Sequence, residues 1–346
     1  MKERRHVGIR DVARAAGVSI TTVSHALNEK GGVSEGTRQR VREIAESLGY
    51  RPDPRGRQLA SGRTGLVALT VSLPDGVHEP VEEFAHNARL IDAATARAIA
   101  RGLALVIVPS GEATIWDRLP LDGLIVVDPV PDDPAVRELR NRAVPIVTVG
   151  KLPEDDVDTR VVDSDYAVGT AAMLDHLVGS GARRVGVMTL SIGESFETDS
   201  LAAYRSWSEG RGSEPWVYAT EHIDWASPRT WVGFEEIART AASDCLDAPD
   251  TPDALYCLSE SYAMAVLAEC ARRGIDVPGD LMVATITDRG LAAGTTPPLT
   301  SLELHPSDLG TAAAEMLADL VDRTVTEPAP VTISTRVVPR ASTARS

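Results

Sequence analysis

Lysine is almost missing from this chain. It occurs only at Lys2, Lys30 and Lys151, and arginine supplies the rest of the 35 basic residues. That skew reads as the base composition of a genome, not as function. Cysteine is scarce too: Cys245, Cys257 and Cys270 are odd in number, and no two stand at metal-ligand or redox spacing. This argues against a disulfide framework, a zinc site or a dithiol centre, and a reducing cytoplasm is expected. No apolar run reaches the ~18 residues of a spanning helix, so no membrane partner is expected. Residues 1–5 are basic, but no apolar stretch follows them, which argues against a secretory signal. Also missing are the G-x-S-x-G elbow, the P-loop, the dinucleotide glycine fingerprint and any metal-ligand cluster. The expectation is a protein with no catalytic residue, no metal and no cofactor, hence not an enzyme.

What is present bounds the rest. The 346 residues suggest about two domains, and 43% apolar content is enough for real cores. A net charge of -15 first looks wrong for a nucleic-acid binder. The charge is unevenly spread, however. Residues 1–64 hold 13 Lys+Arg against 7 Asp+Glu, a net of +6, and residues 65–346 hold 22 against 43, a net of -21. A basic head on an acidic body is a different object from a uniformly acidic protein.

Residues 8–49 carry short helical patterns and no strand pattern. Gly8 caps a first helix, with Asp11 at N3 and Ile9, Val12, Ala13 and Ala16 at helical spacing. Gly17 stops it. Ser19 caps a second helix and Ser34 a third, whose inner face is Val41, Ile44, Ala45 and Leu48. On the second helix Val23 and Leu27 face inward, and Ile20, Thr21, Ser24, His25 and Asn28 face outward. Two helices joined by a glycine turn can lay the second in the DNA major groove, where hydroxyl and amide side chains meet phosphates and base edges. An ordinary helical hairpin with a polar surface has the same spacing. Residues 50–64 are basic and rich in Pro and Gly, as in a linker, although Asp53 followed by Pro54 could start a short helix.

From residue 66 strand and helix alternate. Apolar strands are expected at 66–73, 103–108, 123–127, 145–149, 184–189, 254–258 and 281–286. Helices are expected at 89–101, 169–180, 261–273 and 307–322, and the tail 331–338 reads as strand again. Continuous apolar strands between helices mean parallel sheets covered on both faces. About 280 residues is large for one such sheet, so two lobes with a ligand cleft between them are expected.

The segment 11–28 closely resembles the head of LacI/GalR-family transcriptional regulators. The likeness continues through Val33 to Arg38, Leu48 to Pro52, and Arg57, Leu59, Gly62, Arg63 and Thr64. Weaker matches follow in the family's order: Asp122-Gly123, Asp165 with Gly169, Gly274 to Asp280, Pro298-Leu299-Thr300 and Arg340 to Thr343. The resemblance implies an all-α helix-turn-helix head at 1–50, a hinge helix at 51–64, and an α/β two-lobed, periplasmic-binding-protein-like body with parallel sheets at 65–346. It implies a repressor that binds a double-stranded, pseudo-palindromic operator as a homodimer, with a small-molecule effector in the cleft. Ile20, Thr21 and His25 match the family's base readers. Ser19, Thr22, Ser24, Asn28, Ser34 and Thr37 match its phosphate contacts. Leu59 matches the leucine that wedges into the minor groove, with Arg57 beside it.

The chain also departs from the family. His25 stands where many members have arginine, and histidine offers at most one donor to a guanine where arginine offers two. Gly56 replaces a usual hinge alanine, at a helical cost of roughly 1 kcal/mol. Three polar grips on the effector are replaced by hydroxyls: Ser200 at the arginine of Arg-x-x-Gly-aromatic, Ser259 at the asparagine of Asn-Asp, and Thr287 at the first aspartate of Gly-aromatic-Asp-Asp. A charged hydrogen bond is worth roughly 1.5–3 kcal/mol, so the usual sugar effector cannot simply be carried over, and the effector is expected to be sugar-like or other. Trp225 matches a ring that stacks on ligand, although Trp207, Trp216, Trp225 and Trp231 also suit a locally tryptophan-rich core. Phe84, His86 and Asn87 fall near an aromatic pair that lines the cleft. Two alternatives stay open: a regulator governed by a protein partner, with no small-molecule effector, and an intracellular small-molecule binding protein.

Overall fold

The computed structural model describes residues 7–27, 32–50, 63–72, 81–109, 115–130, 133–152, 160–189, 194–220, 234–287 and 291–345, without the side chains of 81–86 and 234. The chain divides into two compact units, Met1–Thr64 and Gly65–Ser346.

The first unit holds α1 (Ile9–Ala16), α2 (Ile20–Leu27) and α3 (Glu35–Ser47). Asp11 accepts the Gly8 N–H at 3.0 Å and starts α1. Gly17 ends it at φ +65°, a left-handed conformation that lets the Val18 N–H reach the Ala13 carbonyl at 3.1 Å. Ser19 then accepts the Thr22 N–H at 3.0 Å and opens α2. A small core of Val12, Val23, Ala26 and Val41, each fully buried, holds the three helices together.

The second unit contains two six-stranded sheets. The first is built from β1 (Leu66–Val71), β2 (Ala104–Ile107), β3 (Gly123–Val127), β4 (Ile146–Val149), β5 (Arg160–Ser164) and β11 (Val331–Ile333), in the order β11-β5-β4-β3-β1-β2, with every pair parallel. The second is built from β6 (Val185–Thr189), β7 (Trp216–Ala219), β8 (Ala254–Cys257), β9 (Met282–Thr285), β10 (Thr300–Glu303) and β12 (Arg336–Val338), in the order β12-β10-β9-β8-β6-β7. Here β12 runs antiparallel to β10. The expectation of purely parallel sheets therefore needs one correction, because β12 returns along the edge of its sheet. The tail read as one strand over 331–338 is two strands, one in each sheet.

Helices cover both faces of each sheet, as buried apolar strands require. On the first sheet α4 (Val81–Ala100) and α10 (Pro306–Asp322) share one face, and α5 (Pro134–Asn141) with buried Trp116 covers the other. Arg101 staples α4 to α10 through Asp319 at 2.9 Å and Asp322 at 3.1 Å. On the second sheet α6 (Tyr166–Gly179) and α7 (Ser195–Gly210) lie on one face, with α8 (Phe234–Asp247) and α9 (Glu260–Arg273) on the other. That last core contains all three cysteines, each buried and free, and burial raises the Cys245 thiol to about 12.

Gly310 shows how closely α10 approaches α4. A Cβ there would lie 2.1 Å from the Leu90 carbonyl oxygen. Gly310→Ala should push the helices apart and cost about 1–3 kcal/mol. The check is urea unfolding, with a lower midpoint and an unchanged slope expected. An unchanged midpoint would refute the close contact.

Candidate functional site

On the head, the candidate surface consists of two helix starts with the same chemistry. The hydroxyls of Ser19 and Thr22 lie 2.8 Å apart at the start of α2, and those of Ser34 and Thr37 lie 2.9 Å apart at the start of α3. Ser34 also accepts the Thr37 N–H at 3.4 Å. Each start offers hydroxyls beside helix amides with no intrahelical partner, a fit for phosphate oxygens. Along α2, Ile20 and Thr21 are exposed, and Ser24 and His25 are half-buried. Ile20 is 45% exposed, an apolar side chain with no core to occupy and a candidate for a thymine methyl. Asn28, Gly56, Arg57 and Leu59 lie outside the described residues.

In the body, the carboxyl ends of the parallel strands of both sheets open onto one cleft, the usual ligand position in open α/β folds. Asp128 and Val149 come from the first sheet, and Leu258 and Thr287 from the second. Tyr166 and Phe196 stand between them, with ring centroids 5.9 Å apart and planes tilted by 46°. Asn87 of α4 and Leu309 of α10 complete a cavity of about 50 Å³. Asp128 holds a left-handed backbone, φ 48°, as it leaves β3.

Thr287 lines this cavity, and its buried Oγ1 has no hydrogen-bond partner. Ser259 follows the lining residue Leu258 and is the N-cap of α9 without a side-chain capping bond. Ser200 is buried on α7 with an unpartnered hydroxyl, but it is not on the cavity wall. Of the three substituted grips, the structure thus brings Thr287 to the cavity and Ser259 next to it. Trp225 lies outside the described residues. His86 belongs to α4, but its side chain is likewise outside them. Sequence reasoning passed over Asp128, Tyr166 and Phe196. The position of Asp128 just beyond the apolar run 123–127 was a usable signal; the meeting of the two rings was not.

A charged group, Lys151, bridges the lobes. The Lys151 N–H donates to Ser195 Oγ at 3.1 Å, its ammonium pairs with Asp199, and its Nζ lies 3.8 Å from Asp163 Oδ2. Burial works against the Lys151 charge, yet the Asp199 hydrogen bond and the neighbouring carboxylates hold its pKa above the usual value. Burial raises Asp163 to about 6. The Ser164 N–H and Lys151 oppose that rise, and Asp199 and Asp165 add to it. Burial, then the fields of Asp128 and Asp163, raise the Tyr166 phenol well above its usual value. Among the described residues no group of three or more His, Cys, Asp or Glu is placed to hold a metal, and no helix is long and apolar enough to cross a membrane.

Comparison with known proteins places both units. The profile of "Bacterial regulatory proteins, lacI family" matches residues 8–53, and that of "Periplasmic binding protein-like domain" matches residues 174–343. A similar curated protein is the HTH-type transcriptional repressor PurR of Photobacterium profundum, 26% identical over 328 residues, 90% of this chain and 91% of that one. Among solved structures, a complex of the transcriptional regulator CelR with cellobiose is 25% identical, with a TM-score of 0.68 over 97% of this chain and 99% of that one. The Lac repressor dimer bound to operator and the anti-inducer ONPF is 21% identical, with a TM-score of 0.76 over 99% of this chain and all of that one, and supports the fold.

The raised pKa of Asp163 gives a signed prediction. The native state holds this proton more tightly than the unfolded chain, so the carboxyl favours folding below its ordinary value of 3.8, and that contribution is lost as pH rises through about 6. Asp163→Asn should remove this part of the pH dependence. Its stability relative to the parent should rise between pH 4 and pH 7 by about 2–3 kcal/mol. Calorimetric unfolding across that range is the check, and a constant difference would refute it.

Proposed function

Because the chain belongs to the LacI/GalR family of bacterial transcriptional regulators, we propose that this DNA-binding regulator works as a homodimeric repressor on a pseudo-palindromic operator. Residues 1–50 read DNA, 51–64 form the hinge helix, and 65–346 dimerise and bind an effector between the lobes. The observation that carries the reading is the head: a tight αα turn with hydroxyl-capped helix starts, in a unit of net +6 on a body of net -21. The body's charge repels DNA, so phosphate contact falls to the head and hinge, and affinity should drop steeply with salt. In this reading Ile20, Thr21 and His25 face base edges. Ser19, Thr22, Ser24, Asn28, Ser34 and Thr37 face phosphates, and Leu59, supported by Arg57, wedges into the minor groove. An operator-bound dimer and a cellobiose complex among the structural relatives support the homodimer and the small-molecule effector. A protein that acts on the chromosome works in the cytoplasm, and nothing in this reading requires catalysis.

Selection of binding sites from random DNA tests the proposal. A palindromic site is expected; failure to bind any palindrome at low salt would end the reading. His25→Arg should change the preferred base pair at one position of each half-site, since arginine can grip a guanine through two bonds. An unchanged site preference would remove His25 from the base readers. Gly56→Ala should favour the hinge helix by roughly 1 kcal/mol per protomer and tighten operator binding about five-fold or more. Unaltered affinity would count against a helical hinge at that position.

A further inference from the structure

We propose that Lys151 is a positioning residue of the regulator: its ammonium passes between Asp199 of the second lobe and Asp163 of the first, and so sets how the lobes stand to one another and how tightly the protein holds its operator. The inference rests on the reading of the chain as an operator-binding regulator and names a residue through which its lobes act.

Lys151 is the exception in a body that builds its cations from arginine. Of the 22 basic residues in 65–346 it is the sole lysine. A guanidinium is a flat fork that locks onto one carboxylate through two bonds. An ammonium is a compact charge on a flexible four-carbon stem, able to serve one carboxylate and then another. Two carboxylates are within its reach. The ammonium pairs with Asp199, and Nζ lies 3.8 Å from Asp163 Oδ2.

The fold holds these two partners differently. Asp163 belongs to the same sheet as Lys151. The ladder sets Val149 of β4 beside Val162 of β5, and the Gly150 N–H donates to the Val162 carbonyl at 3.0 Å. Asp163 therefore stays beside Lys151 whatever the lobes do. Asp199 is on α7, which packs on the second sheet. That partner is present only while α7 stands against the end of β4. The approach there is close: the Lys151 N–H donates to Ser195 Oγ at 3.1 Å, and a Cβ on Gly150 would lie 3.6 Å from the same oxygen.

Electrostatics gives the ammonium a second seat. Asp163 is buried, and its Oδ1 accepts the Ser164 N–H at 2.8 Å. Among the described residues its Oδ2 has no hydrogen bond. With the ammonium on Asp199, burial holds the Asp163 carboxyl up at about 6, and Asp199 and Asp165 add to the rise. When α7 moves off with Asp199, the ammonium is released to close the remaining gap onto Asp163. Each arrangement of the lobes then offers a carboxylate to the same ammonium, which makes a two-state element.

The test reads the distance between the lobes and the affinity for an operator selected from random DNA, both in the full-length protein. Spin labels on Arg118→Cys and Ser206→Cys, exposed positions on opposite lobes, report the distance by double electron–electron resonance, and the three native thiols are buried. Dilution with unlabelled protein confines the signal to one protomer. Asp199→Asn should favour parted lobes, and Asp163→Asn the arrangement seen here. The two should therefore move both the distances and the operator affinity in opposite directions, the affinity by about two- to five-fold, as befits a half-exposed pair. Lys151→Arg, whose fork locks onto Asp199, should act as Asp163→Asn does. In a Lys151→Met background both aspartate substitutions should lose their effect. A merely structural role would not give opposite signs that vanish together. Shifts in one direction, no shift, or undiminished effects in the Lys151→Met background would overturn the inference. Asp199→Asn against Lys151→Arg decides the sign even where Asp163→Asn does not fold. If the distances respond while operator affinity stays constant, the role of Lys151 in regulation falls and the operator reading stands. If the parent binds no operator, that reading falls, and the distances alone decide whether Lys151 positions the lobes.

Discussion

The backbone passes between the two sheets of the body at three places: after Ser164, after Leu304, and between Ile333 and Arg336. These passages are tied together. The Asp165 N–H donates to the Ile333 carbonyl at 2.9 Å, Thr335 Oγ1 donates to the Asp165 carbonyl at 3.2 Å, and Ser164 Oγ donates to the Leu304 carbonyl at 3.4 Å. His305 turns the second passage in a left-handed conformation, φ 51°. With the carboxyl ends of both sheets facing across this belt, a cleft between them is unavoidable.

Among the described residues, the Lys151 contact spans the lobes away from the belt and is modest by comparison. Lys151 is half exposed, and an ion pair that wet contributes little once side-chain entropy and salt are counted. Burial raises the pKa of Asp163, next to it, to about 6, and Lys151 is among the groups that oppose the rise.

The helix starts and stops of the head were legible because their signals are local, although Leu48, read as part of the inner face of α3, is 37% exposed and lies just past the helix end. Gly8 with Asp11, Gly17, Ser19 and Ser34 each act within four residues, and each acts as read. In the body, long apolar strands and helices could be read, although their ends shifted, α4 starting at Val81 where residue 89 was expected. What went unread has physical causes. The strands β5 and β10 are short and carry polar or charged residues among their apolar ones, and β7 is only 4 residues long. The helix α7 buries Glu197, Ser200 and Ser208, so its inner face has no apolar periodicity to find. The division of the tail into β11 and β12 follows from the passage between sheets, which leaves no mark at Ser334 or Thr335. For the cleft, substitution against a family pattern pointed to Thr287, while Tyr166 and Phe196, 30 positions apart, meet only through the fold.

The cysteines have a consequence of their own. All three sit in the core between the second sheet and the pair α8 and α9, and neither the first sheet nor the head contains any. Burial raises their thiols, so in the folded protein they are poor nucleophiles. Their reaction with a thiol reagent therefore clocks the transient opening of one lobe and is blind to the other. The chain carries its own reporter of local unfolding, confined to the half that contributes Thr287 to the cleft.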